Sequence, residues 1–358
     1  MKRGITIGLI DSGVDLNQCG LNDAVVAYHC IHTQKSHGTS DHGTFNAALL
    51  CGYSPDTSIK AIIPDSKLYV CEAIEGLHLA QNILEALEWM LEQSIQILLM
   101  PFGMKGNSPL FSSFIQRFVD KGVLPIAAIG NEGAGKYRAP GFYNNVLSVG
   151  AINAEEAVAP FSGSYNNKKA ECLKPDVATL GVDIESPFTK IGKQSGTSMA
   201  ATILAGQAAQ LWSAFPYATC LEIYNAIIHG AAPVKPDQEH RCKYGIFNFE
   251  KAEQCLREGT TSRKYQLVQE SFTKYVDPYL FQESKYAPNN KLFEFIIILK
   301  ENTSSIFLEE FSDNLEILKK FNHNTIIIVR GNKEIIEQLI DDERIKLIQS
   351  VQIPFFSF

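Results

Sequence analysis

The chain has 358 residues, 45% of them apolar and 20% charged, which suits one large domain plus a small one and is too apolar for a disordered chain. A formal net charge of −7, with no basic run and no aromatic-spaced Lys/Arg stripe, argues against a nucleic-acid partner. No apolar stretch is long enough for a bilayer span, so a membrane partner is not expected either.

The first predicted strand, residues 5–10, starts almost at once and leaves no room for a cleavable export signal. Eight scattered Cys without a CxxC pair then read as reduced thiols, and the expected location is cytoplasmic. Further strands are predicted at 67–71, 95–100, 123–129 and 146–149. Helices are predicted at 43–51, 79–92, 112–121, 199–215 and 220–229. Short β-branched runs alternating with helical patterns imply parallel strands joined by crossover helices, an α/β doubly wound sheet over residues 1–257. Residues 258–290 are polar with little periodicity and read as a linker or surface arm. From 291 to 358 the pattern is strand 292–299, helix 306–314, strands 316–321 and 325–330, helix 333–341 and strand 346–353. That β-α-β-β-α-β order predicts a small α+β ferredoxin-like domain ending in an aromatic tail.

Three short motifs carry chemistry: Ile10-Asp11-Ser12-Gly13, His42-Gly43-Thr44 and Gly196-Thr197-Ser198-Met199-Ala200. A serine hydroxyl is barely ionised at neutral pH and needs a base to act as nucleophile. His42 can supply the base, Asp11 can fix the imidazole tautomer, and Ser198 falls where a helix start favours developing negative charge. Any one motif alone would pass as an ordinary Gly-rich turn. Together, in the order Asp, His, Ser, they do not. A second His-Gly-Thr string, His37-Gly38-Thr39, runs into Ser40-Asp41. His42 is followed by Phe45-Asn46-Ala47-Ala48, which suits a packed helix. The segment Ala127-Ala128-Ile129-Gly130-Asn131-Glu132-Gly133 places an Asn at a predicted strand end.

With Lys174-Pro175-Asp176-Val177-Ala178 and Tyr244-Gly245-Ile246-Phe247-Asn248, these motifs resemble the subtilisin-like serine proteases over residues 3 to 255. The resemblance implies a serine endopeptidase with Asp11, His42 and Ser198 as catalytic residues and an acyl-enzyme on Ser198. It implies Asn131 and the Ser198 N–H as oxyanion donors. Substrate would lie between an edge formed by Pro101, Phe102, Gly103 and Met104 and a wall formed by Ala128, Ile129 and Gly130, beside Thr197. The family's usual Ser-Leu-Gly-Gly edge is replaced here, and Phe102 and Met104 are expected to narrow the neighbouring subsites. Arg138 falls at the base of the primary specificity pocket, where a buried guanidinium would select an acidic residue before the cut. The alternative is a solvated loop Arg.

The usual Pro-His after the nucleophile is absent from Ala201-Thr202-Ile203-Leu204-Ala205-Gly206. The C-terminal domain resembles the family's inhibitory propeptide, with its own tail as an occupant of the active site. Substrate docking and plain stabilisation are the alternatives. The partner is a protein or peptide substrate, from general proteolysis to a dedicated precursor peptide. A peptide ligase or macrocyclase and a non-catalytic binding scaffold are the rivals. No cofactor is implied. Calcium occurs in the family, but no cluster of carboxylates and carbonyl-presenting loops names its ligands here.

Overall fold

In the computed structural model, residues 4–31, 41–75, 78–167, 172–260, 274–321 and 325–351 are described. The first strand, β1 (Thr6–Asp11), is buried from Ile7 onward. It is followed by α1 (Leu21–Ala24), β2 (Val25–Cys30), α2 (Asp41–Cys51), β3 (Lys67–Glu72), α3 (Leu79–Leu91), β4 (Ile97–Met100), β5 (Met104–Lys105) and α4 (Ser112–Asp120). Then come β6 (Leu124–Ala128), β7 (Arg138–Ala139), β8 (Leu147–Ile152), β9 (Tyr165–Asn167), β10 (Cys172–Lys174), β11 (Val177–Leu180), α5 (Thr197–Ala214), α6 (Cys220–His229), β12 (Gly245–Ile246) and α7 (Phe249–Glu258).

The main sheet has the order β12-β11-β8-β6-β4-β1-β3-β2, with its strands paired in parallel. From β1 the chain runs out one way to β2 and β3 and the other way from β4 to β12. The C-terminal end of β1 is therefore a topological switch point, where α/β sheets open a crevice. Asp11 sits there.

Alternate strand residues enter two cores, as expected of a sheet covered on both faces. Ile7, Leu9 and Leu99 pack with α2, α5 and α6, while Ile10, Leu98 and Met100 pack with α3 and α4. The density of Ala and Gly in α5 lets this helix lie close against β4, β6, β8 and β11.

The predicted boundaries shift by one to three residues. The largest shift is at β8, which runs on to Ile152. The edge strand β2, half-buried and with no clean alternation, is not foreseen in the sequence, and neither is α7. Part of the polar stretch 258–290 is regular: β13 (Tyr275–Val276) and α8 (Pro278–Tyr286), the latter started by Pro278 and the Asp277 cap.

The remaining elements are β14 (Phe293–Leu299), β15 (Leu315–Phe321), β16 (Ile326–Gly331), α9 (Lys333–Asp341) and β17 (Ile345–Ser350). Their sheet order is β13-β17-β14-β16-β15, in which β17, β14, β16 and β15 run antiparallel in turn and β13 runs parallel to β17. This is the split β-α-β arrangement predicted, with β13 added at one edge. The predicted helix 306–314 is instead a 3-10 turn, Ser305–Phe311.

One face of this second sheet joins the catalytic half. Ile296, Ile298, Phe321, Ile326, Ile328 and Leu347 share a continuous core with Phe111, Phe114, Ile115 and Phe118 around α4 and with residues of α3. Lys319 Nζ reaches Glu85 Oε1 of α3 at 2.8 Å, and the buried Ser108 hydroxyl donates to Gln349 Oε1 of β17.

Candidate active site

Asp11 is fully buried at the end of β1. Its Oδ1 lies 2.7 Å from His42 Nδ1, so the carboxylate accepts the Nδ1–H hydrogen bond and the ring turns Nε2 away from it. The Ser12 N–H at 2.7 Å also donates to Oδ1, and the Asn46 amide donates to Oδ2 at 3.1 Å. A buried carboxylate fixed by these donors holds the ring in one plane. His42 lies on the first turn of α2, and Asn46 is one turn further on the same face.

Ser198 lies on the first turn of α5, where backbone N–H groups have no partner within the helix. Its hydroxyl donates to the Pro101 carbonyl at 2.6 Å. Thr202 Oγ1 sits 2.9 Å from Ser198 O and 3.1 Å from Asn46 Oδ1, which ties the helix carrying Ser198 to the helix carrying His42.

Asn131 is fixed by its acceptor end. Its Oδ1 accepts from Thr197 N and from Thr197 Oγ1, each at 2.9 Å. Thr197 Oγ1 in turn accepts from Gly130 N at 3.2 Å, so Thr197 serves to position Asn131. With Oδ1 engaged, the Asn131 Nδ2 donor turns toward the start of α5, where a methyl on Gly196 would come within 3.4 Å of it. Ala128 and Ile129 are buried in the wall behind Gly130.

The edge 101–104 meets this crevice through the Pro101 carbonyl, and all four of its residues are buried. Phe102 and Met104 do not narrow it, contrary to expectation: both are buried in the core shared with α3 and α4. Arg138 is likewise not a solvated loop residue. It belongs to β7, pairs with Lys105 of β5, is only 7% exposed and donates its backbone N–H to Ile129 O. Its Nε reaches Glu132 Oε1 at 2.7 Å, its Nη2 meets the same oxygen, and its Nη1 donates to Gly103 O at 2.8 Å. Nε and Nη2 of the guanidinium are thereby engaged by the chain's own Glu132.

Sequence reading passes over Glu132, Asn46 and the anchoring role of Thr197. Only Asn46 leaves a signal, its helical spacing from His42. The second His-Gly-Thr string and the tail 352–358 lie outside the described residues.

The family model of the subtilases, Peptidase_S8, matches residues 2–265. The chain belongs to the subtilase family. It is a subtilisin-like serine endopeptidase by that membership. It is 27% identical over 221 residues to the subtilisin of Bacillus pumilus, covering 59% of this chain and 78% of that one. It is 26% identical over 226 residues to the major intracellular serine protease of Bacillus subtilis, covering 59% of this chain and 69% of that one. Among solved structures it resembles the prenylagaramide maturation protease PagA, with 25% identity and a TM-score of 0.59, covering 70% of this chain and 93% of that one.

Among the described residues no group of three or more His, Cys, Asp or Glu is placed to hold a metal ion, and no helix is long and apolar enough to cross a membrane. Cys19, Cys30, Cys51, Cys71, Cys220, Cys242 and Cys255 are free thiols. Burial pushes Cys51, Cys220 and Cys242 up to about 12, so these thiols are inert rather than nucleophilic.

Proposed function

We propose that this subtilase cuts peptide bonds through an acyl-enzyme on Ser198. A substrate laid along the edge 101–104 brings a backbone N–H to the Pro101 carbonyl, and the Ser198 hydroxyl, released from it, turns to His42 Nε2. His42 takes the proton as Ser198 Oγ bonds to the scissile carbonyl carbon, then gives it to the departing amine. Water, with His42 again as base, attacks the ester and restores the serine. Asp11 keeps the imidazole oriented and stabilises its charged form, while Asn131 Nδ2 and the Ser198 N–H hold the oxyanion. The observation that carries this reading is the Asp11–His42 contact at 2.7 Å beside a helix start bearing Ser198. A fluorophosphonate probe is expected to label the native chain and not Ser198→Ala. A native chain that binds peptides without labelling would instead be a scaffold.

The substrate we favour is a precursor peptide in the cytoplasm. The likeness to a maturation protease, PagA, and to an intracellular protease of Bacillus subtilis supports that choice over broad digestion. In this reading residues 1–257 are the catalytic domain and 291–358 a regulator acting in cis. The contact between Gln349 and Ser108 supports it, because it holds the end of β17 close to the edge 101–105. Residues 352–358 follow directly. A chain ending at Val351 is expected to cleave faster than the full chain. Equal rates would leave the domain a stabilising or substrate-docking role.

A further inference from the structure

The walls of the crevice beside Ser198 are bare glycine, yet the space between them is full. A methyl on Gly103 would fall 2.5 Å from Arg138 Cβ, and one on Gly130 would fall 2.9 Å from Arg138 Cγ and 3.0 Å from Glu132 Oε2. The aliphatic stem of Arg138 therefore lies against both walls, and its guanidinium is clamped by Glu132 and Gly103 O. The Arg138 side chain is 8% exposed and the Glu132 side chain 28%, so the carboxylate forms the lid of the pair and the guanidinium the plug. Glu132 is squeezed upward by partial burial, but hydrogen bonds and charge from Arg138 outweigh this and hold its carboxyl below the usual range, so it stays ionised.

We infer that the Arg138–Glu132 pair closes the primary specificity pocket, so that the residue before the cut must be small and uncharged: Gly, Ala or Ser. The proposal rests on Ser198 as nucleophile. A large apolar side chain finds the volume already taken by the Arg138 stem. An acidic side chain finds the guanidinium edge occupied, and would have to enter beside the ionised Glu132 or expel it. A methyl or hydroxymethyl group needs neither the volume nor the charge.

The test uses the full chain and a set of peptidyl diphenyl phosphonates identical except for the residue next to phosphorus. These probes phosphonylate an active serine with loss of phenoxide. If the crevice is covered part of the time, every probe is slowed equally, so ratios of labelling rates are unaffected. The native chain is expected to react at least about tenfold faster with the Ala probe than with the Phe or Asp probes, the discrimination a shape-limited pocket gives. In Arg138→Gly the Phe probe is expected to gain about tenfold or more relative to the Ala probe. Equal rates for Ala and Phe in the native chain, or preference for Asp, would overturn the closed pocket even if the variant does not fold. A plain fluorophosphonate run alongside separates the two ideas: no labelling at all removes the nucleophile and the pocket proposal with it, whereas labelling with a flat profile removes the pocket alone.

Discussion

Thr197 places both of its donors, N–H and Oγ1–H, on one oxygen of Asn131, which fixes the direction of the Asn131 amide. Asn131→Ala is therefore expected to lower kcat by about 10²–10³, the range known for subtilisin's own oxyanion asparagine, with little change in KM. Steady-state kinetics on the purified variant would check it. Glu132 gives a pH-dependent counterpart. Arg138, with Lys105 nearby, holds its carboxyl low in the folded chain, so the stabilisation is present above the ordinary carboxylate value and lost as pH falls through the lowered one. In urea titrations the native chain is expected to exceed Glu132→Gln in stability at pH 7, and the gap to close below about pH 4. At this scale the sequence singles out Asp11, His42 and Ser198, since each stands in a short motif, and the fold sets the first two in contact. It does not name Glu132 as the partner of Arg138, because that pairing depends on a turn that only the fold closes.

Helix α2 can bring His42 to Asp11 only if its first turn comes almost into contact with the end of β1. The position that permits it is Gly43, where a Cβ would fall 2.0 Å from Gly13 O and 3.2 Å from Asp11 Cγ. Gly43→Ala must push α2 away from the strand. A shift of about 1 Å in a catalytic group can cost about a hundredfold, so kcat/KM is expected to fall at least that far while far-UV circular dichroism stays native. The strands buried on both faces and the long Ala-rich helix are legible as elements because composition and periodicity agree. The edge strand β2 is not, since half-burial leaves no period to detect, and the helix read at 306–314 is found as the 3-10 helix Ser305–Phe311. Phe102 and Met104 show the same limit: four edge residues read in a row do not reveal which of them face the core.

The two large sheets are joined through α3 and α4, and the residues between them are as dry as any in the catalytic half. Ile296 is fully buried in this join, so Ile296→Ala is expected to cost about 2–5 kcal/mol of unfolding free energy, read from denaturant midpoints. The loss should appear in one transition shared by both sheets rather than in an independent early step. The ferredoxin-like order of the C-terminal elements can be read from their alternation. The face that docks cannot, because β14 and β16 are apolar on both sides and either face could serve.

That join also sets an order of events during synthesis. A nascent chain folds from its N-terminal side as it emerges, so α3 and α4 are made while Phe114, Phe118 and their neighbours still lack a cover. The cover is complete only when β17 inserts between β13 and β14. Until the ribosome has delivered residue 350, the apolar side of those helices is only partly covered. The growing polypeptide thus spends some tens of seconds, at about 5–20 residues per second, with this face incompletely covered, and a chain that stops short keeps it so.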